Sequence, residues 1–169
     1  RGYGPYVNGE SAYYMSINRN KKSITVDTRN PEGVALVKEM IKKADVVVEN
    51  FKPGTMEKLG MGYEDLKQIN PEIVYVACSG FGHTGPYSKR PAYDAIVQAM
   101  GGIMSITGLG PGQYTRVGAS IGDITAGLFS AIGALIAIIE KIRTGKGQKV
   151  DVAMLDCQVA ILENAIARY

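Results

Sequence analysis

At 169 residues with 46% apolar side chains, the chain is long enough for one domain, or a piece of a larger one, with a sizeable core, and its composition excludes a disordered segment. The balance of 19 basic against 16 acidic residues leaves only +3, too little to argue for a nucleic-acid partner, although a small anionic ligand needs less. Cys78 and Cys157 lie far apart in no metal-ligand spacing, which argues against a disulfide framework or a metal centre and for a reducing cytoplasm.

In chain order, the Gly-, Tyr- and Asn-rich stretch from Arg1 to Ser11 reads as the middle of a loop, and with no initiator Met or leader pattern the chain reads as a fragment. The basic run Asn18-Arg19-Asn20-Lys21-Lys22 is a solvated connector which, beside a ligand edge, would suit phosphates. Strands are expected at Ser23 to Asp27, Asp45 to Glu49, Ile73 to Cys78 and Lys149 to Met154, each rich in Val or Ile and separated by helical spacing. That rhythm predicts an α/β fold with a parallel, Rossmann-like sheet. Asn30-Pro31-Glu32 starts a helix through Val34, Val37, Met40 and Ile41, and Asn70-Pro71 stops another over Met56 to Ile69.

Ligands of such sheets gather beyond the carboxyl ends of the strands. Three polar segments follow strands there: Thr28-Arg29, Asn50-Phe51-Lys52-Pro53-Gly54, and Ser79 to Pro86. His83, the single histidine, sits in the third and reads as a surface loop side chain; no G-x-S-x-G elbow accompanies it, and no second histidine supports a metal site. The stretch "TGLGPGQ", with Gly108, Gly110 and Gly112, is a turn rather than a phosphate loop, because Pro111 and the lack of a following helix spoil the fingerprint.

The last helix is expected from near Ile124. Leu128, Ile132, Leu135, Ile139 and Ile142 form a core-facing stripe, Ala126, Gly133 and Ala137 let another backbone come close, and Lys141, Arg143 and Gly145 suit its end. The uncharged run Ile124 to Ile139 falls short of the roughly 18 residues of a membrane span, so a buried helix is expected. Asp123 stands directly before that run. It reads either as an N-cap worth about 1 kcal/mol or as a carboxylate, ionised at neutral pH, that attacks an activated carbonyl, with Gly118 and Gly122 leaving room for a ligand.

The segments "INRNKKSITVDTRNPEG", "ADVVVENFKPGTMEKLG", "NPEIVYVACSGFGHTGPYSKRPAYDAIVQAMGG", "GDITAG" and "RTGKGQKVDVAMLD" together resemble the class III coenzyme A transferases, the CaiB/BaiF-like group that includes formyl-CoA and carnitine CoA-transferases. The likeness runs nearly the whole chain, in order. It implies that residues 1–169 are part of the large CoA-binding and catalytic domain, without its N-terminal start and its second, small domain, and that Asp123, in the "GD" motif, is the nucleophile of an acyl-CoA:carboxylate CoA-transferase. The reaction would pass through an aspartyl anhydride and an aspartyl-CoA thioester. The resemblance also implies CoA contacts at Val26, Asp27, Thr28, Arg29, Asn50, Phe51, Lys52, Lys58, Arg90 and Tyr93, with Pro91 at the basic position of the last region and Arg90 beside it. CoA enters as a substrate and no permanently bound cofactor is expected; the full-length protein would be an interlocked homodimer in the cytoplasm without nucleic-acid or membrane partners. The racemases of the same fold pair this aspartate with a histidine where this chain has Tyr93, a poor partner base. A non-catalytic CoA-binding module is the alternative from another class. Asp94 is expected to orient the site or to cap a helix.

Overall fold

The computed structural model describes residues 2–168, so Arg1 and Tyr169, the two ends of the expected domain, lie outside the described residues. The opening stretch departs from a plain loop. Strands β1 (Tyr6–Val7) and β2 (Glu10–Ser11) pair antiparallel across Asn8-Gly9, whose φ values are 52° and 83°. Asn-Gly takes the left-handed geometry that a two-residue hairpin demands at both central positions. Ser11 then caps α1 (Ala12–Ile17), its Oγ accepting the Tyr14 N–H at 3.1 Å.

The segment Ser23 to Asp27, expected as a strand, is not one. A strand needs a neighbour to take its backbone groups, and none of the described strands pairs with it. Helix α2 (Pro31–Ile41) starts where the sequence places it, with Asn30 Oδ1 accepting the Glu32 N–H at 3.0 Å and Pro31 in the first turn. After β3 (Val46–Glu49), the expected helix over Met56 to Ile69 divides into α3 (Thr55–Lys58) and α4 (Tyr63–Ile69). Gly60, at φ 64°, takes the left-handed position that stops a helix. Asn70 closes α4 and donates from Nδ2 to the carbonyls of Ile41 and Ala44, each at 3.0 Å, tying it to the end of α2.

Next come β4 (Val74–Ser79), α5 (Asp94–Met100), α6 (Ile103–Thr107), α7 (Ile121–Thr144), β5 (Lys149–Ala153), α8 (Met154–Ala160) and α9 (Asn164–Ala167). The "TGLGPGQ" stretch is a turn, with the Gln113 N–H donating to Gly110 O at 3.0 Å. The three longer strands form a parallel sheet in the order β3-β4-β5, an α/β architecture. Side chains alternate across it: Tyr75 and Ala77 join Ile41, Met56, Met61 and Leu66 on one face, while Val74 and Val76 meet Ala137 of α7 on the other.

Helix α7 corrects two expectations. It begins at Ile121, which places Asp123 inside its first turn rather than ahead of it. It also lies on the sheet by its small side chains. Gly122, Ala126, Ser130 and Ala137 are buried, and a Cβ on Gly133 would stand 2.7 Å from Val150 Cγ1, whereas Leu128, Ile132, Leu135, Ile139 and Ile142 are exposed in the described chain. Short side chains let the helix backbone approach the strands, and that turns the long aliphatic side chains outward. The burial expected for this helix is correspondingly absent: only 22% of its most apolar window, of mean hydropathy 1.9, is buried, and by length and composition alone α7 passes as a membrane-crossing helix. Its end is as expected, with Gly145 at φ 69° and Lys141 and Arg143 in the last turn.

Candidate active site

Two of the three polar segments, the first turn of α7 and the approach to α5 meet at the carboxyl edge of the sheet. They enclose a cleft of about 720 Å³ lined by Asn50, Phe51, Lys52, Arg90, Tyr93 and Asp123, among others. The loop after β3 is held at two points: Asn50 Nδ2 donates to Cys78 O at 2.7 Å, and the Phe51 N–H donates to Glu49 Oε2 at 2.7 Å. Gly80 continues the wall, where a Cβ would meet the Ala92 Cβ at 2.5 Å, so the loop after β4 packs directly against the approach to α5. Arg90 lies with its guanidinium 4.3 Å from the centre of the Tyr87 ring, a cation–π seat that fixes its stem.

The first turn of α7 is capped from another helix. Asp94, buried at the start of α5, accepts the Gly122 N–H on Oδ1 at 2.8 Å, while its Oδ2 accepts from Gln98 Nε2 at 2.8 Å and lies 3.7 Å from Arg116. Gln98 in turn accepts the Val117 N–H at 2.8 Å, which pins the chain running into α7. Asp123 therefore does not cap its own helix: the N-cap residue is Ser120, and the cap bond comes from Asp94, 28 positions away in sequence. Gly122 is equally a packing residue rather than space for a ligand. A Cβ there would stand 2.6 Å from Val97 Cγ2 and 3.1 Å from Asp94 Oδ1. Gly122→Ala is expected to cost about 1–3 kcal/mol through overpacking, measurable as a lowered unfolding free energy of the full-length protein.

Asp123 is exposed at the cleft wall, yet its carboxyl is held above the usual range, first by desolvation against that wall and second by the negative charge of Asp94. A helix N-terminus alone would push the other way. Here Asp94 already takes the Gly122 N–H and adds a like charge beside the group, so the dipole does not dominate. The neighbouring thiol offers no rival nucleophile. Burial pushes Cys78 up, and Cys157 is pushed up to about 11, again by burial first, so neither supplies the thiolate that attack requires.

The remaining expected contacts lie elsewhere. Val26, Asp27, Thr28, Arg29 and Lys58 do not line the cleft. Arg29 is turned onto Asp27 at 3.0 Å, an exposed pair in which the guanidinium holds the Asp27 carboxyl below its ordinary range. Lys58 lies in the last turn of α3. His83 corrects the reading of a surface side chain: its ring is nearly buried, 3.5 Å from Glu49 Oε1 through Nε2 and 3.1 Å from Lys149 Nζ through Nδ1. Sequence reasoning missed Glu49, for which the available signal was a carboxylate closing an otherwise aliphatic strand. Asp94, expected to orient the site or to cap a helix, does cap one, but the helix is α7 and not the one it begins.

Residues 1–169 match the model of CoA-transferase family III. The chain is 47% identical over 167 residues to the acetyl-CoA:oxalate CoA-transferase of Acetobacter aceti, covering 98% of this chain and 43% of that protein. It is 47% identical over 171 residues to the succinyl-CoA:glutarate CoA-transferase of Mus musculus, covering 100% and 39%. Among solved structures it is similar to a CaiB/BaiF family protein from Brucella suis, with TM-score 0.94 and 46% identity over 100% of this chain and 46% of that one. It thus spans less than half the length of these relatives.

Proposed function

The chain belongs to CoA-transferase family III, and from that membership we propose that the full-length protein moves CoA between carboxylic acids, with Asp123 as the covalent nucleophile. The observation that carries the proposal is the placement of the Asp123 carboxylate in one cleft with Asn50, Phe51, Lys52, Arg90 and Tyr93. A carboxylate oxygen of Asp123 attacks the thioester carbon of an acyl-CoA, and the tetrahedral adduct expels CoA thiolate to leave a mixed anhydride. The thiolate attacks the aspartyl carbonyl, releasing the donor acid and forming an aspartyl-CoA thioester. An acceptor carboxylate then displaces the thiolate, which returns to the acceptor's acyl carbon and frees Asp123. No net proton is taken up in this sequence.

The cations have separate tasks in this reading. Lys52 and Arg90, at the cleft, face the anionic groups nearest the reacting carbon, while Arg29 and Lys58, outside it, take the phosphates at the far end of the extended CoA molecule, with Val26, Asp27 and Thr28 beside them. Tyr93 stands 80% exposed at the N-terminal end of α5 and offers no base for proton exchange at an α carbon, which favours transfer over racemisation. The same reading takes the protein to be a cytoplasmic homodimer whose two free thiols, Cys78 and Cys157, suit a reducing compartment.

The relatives act on oxalate and glutarate, so dicarboxylates are the acceptors to test first. Full-length protein incubated with acetyl-CoA or succinyl-CoA plus oxalate or glutarate is expected to yield the acceptor's CoA ester without accumulation of free CoA. Release of free CoA alone, or no ester with any of these acceptors, contradicts the reading.

A further inference from the structure

We infer that His83 is a positioning residue for the cleft: a buried imidazole that links Lys149 to Glu49 and, through Glu49, fixes the Asn50-Phe51-Lys52 loop. The inference rests on the proposed reading that this loop takes acyl-CoA.

The sheet prepares a seat for the ring. Glu49, Ala77 and Asp151 are register partners on β3, β4 and β5 and so share one face. Ala77, the smallest of the three and fully buried, leaves a gap between two carboxylates. The loop after β4 turns at Gly82, at φ 79°, and its His83 N–H donates to Asp151 Oδ2 at 2.9 Å, which folds the imidazole back over the row. The ring then lies between Lys149 Nζ, 3.1 Å from Nδ1, and Glu49 Oε1, 3.5 Å from Nε2.

The chemistry of these neighbours assigns the ring's roles. A lysine ammonium has only donors, so Nδ1 must accept and the ring proton sits on Nε2. Nε2 is buried and makes no hydrogen bond within normal geometry among the described residues; the acceptor it faces is the Glu49 carboxylate. Glu49 is 5% exposed. Its Oε2 accepts the Phe51 N–H at 2.7 Å, and its Oε1 lies 3.5 Å from the Tyr75 hydroxyl. A buried carboxylate held from three sides keeps its orientation; without the imidazole it loses the neighbour opposite its loop-facing oxygen and gains room over Ala77. The site side of the same loop is the wall of the cleft. His83 is not itself among the residues that line the cleft, so its effect reaches substrate through Glu49, which is one of them, and through the Phe51 amide that Glu49 holds.

The test compares His83→Leu, which fills the seat without polar atoms, with His83→Gln, which restores a donor and an acceptor, in the full-length protein. Three quantities are read: KM for acyl-CoA, kcat, and amide hydrogen exchange of the peptide containing Phe51 against that of the β4 peptide. His83→Leu is expected to raise KM by about tenfold or more with kcat at saturation within about twofold, and to speed exchange at Phe51 but not in β4. His83→Gln is expected to restore most of both. Unchanged KM and Phe51 exchange in His83→Leu overturn the inference, and so does exchange that rises equally in the loop and β4, which marks general destabilisation. If His83→Leu fails to fold, His83→Gln decides: wild-type KM and Phe51 exchange support the inference, and raised values of both overturn it. A wild-type protein that binds no acyl-CoA removes the underlying reading itself, a result distinct from a wild type that binds and a leucine variant that does so equally well.

Discussion

Asp123→Ala is expected to lower turnover of acyl-CoA by at least about 10³-fold while leaving the dissociation constant for CoA within a few-fold. Losing a covalent nucleophile removes the route that divides one difficult displacement into easier ones, and the residual rate then comes from binding and electrostatics alone. CoA binding persists because, on the proposed reading, its phosphates are held by Arg29 and Lys58 outside the cleft, while Lys52 and Arg90 at the cleft take the anionic groups nearer the reacting carbon. Steady-state kinetics and calorimetric titration of the full-length variant read the two effects separately. A non-catalytic binding module would show neither turnover in the wild type nor a difference between wild type and variant.

The second large effect is expected at Asp94, which supports the nucleophile's turn without belonging to it. Asp94→Ala leaves the buried Gly122 N–H with no acceptor and takes from Gln98 Nε2 its shortest bond, a loss of about 1–3 kcal/mol that denaturant unfolding measures. Asp94→Asn separates structure from charge, because its amide oxygen still accepts the Gly122 N–H. Burial and the Asp94 charge both raise the Asp123 pKa above 3.8, and attack requires the ionised form, so activity falls as pH drops through that raised value. Removing the Asp94 charge removes one of the two raising causes. The acid limb of the kcat/KM profile should therefore move to lower pH in Asp94→Asn, and a limb that stays in place or moves up would contradict the assigned geometry.

Much of the architecture was legible because it is local. The Val-rich runs became β3, β4 and β5 to within a residue at each end, and the Asn30-Pro31 start and the Gly145 stop follow from capping chemistry that a few adjacent residues contain. The failures share a different cause: each depended on a partner distant in sequence. Ser23 to Asp27 has strand composition but no described neighbour to pair with. The aliphatic stripe of α7 has the period of a core face, yet the choice of buried face was made by Ala126, Gly133 and Ala137, which pack on strand residues. Periodicity shows that a helix has two faces, not which one a sheet selects.

The candidate site divides along the same line. Asp123 and the Asn50-Phe51-Lys52 loop were found from the chain, and they do share a cleft. Their supports were legible only in part. Asp94 was expected to orient the site or to cap a helix, but not to reach the α7 N-terminus across 28 positions, and His83 reaches Glu49 and Lys149 only because three parallel strands bring positions 49, 77 and 151 into one row. A lone histidine in a glycine-rich loop carries no mark of that destination. The Asn8-Gly9 hairpin, by contrast, was readable from two residues and was overlooked within a stretch taken as loop.

In the proposed transfer the Asp123 carboxylate becomes bonded to an acyl carbon. Intact-mass spectrometry of the full-length protein mixed with acyl-CoA in the absence of acceptor tests it most directly. The expected result is a CoA-sized adduct that hydroxylamine removes, that maps to the peptide containing Asp123, and that is absent in Asp123→Asn. An unmodified mass from a wild-type protein that turns over once acceptor is added, or an adduct that persists in Asp123→Asn, would contradict it.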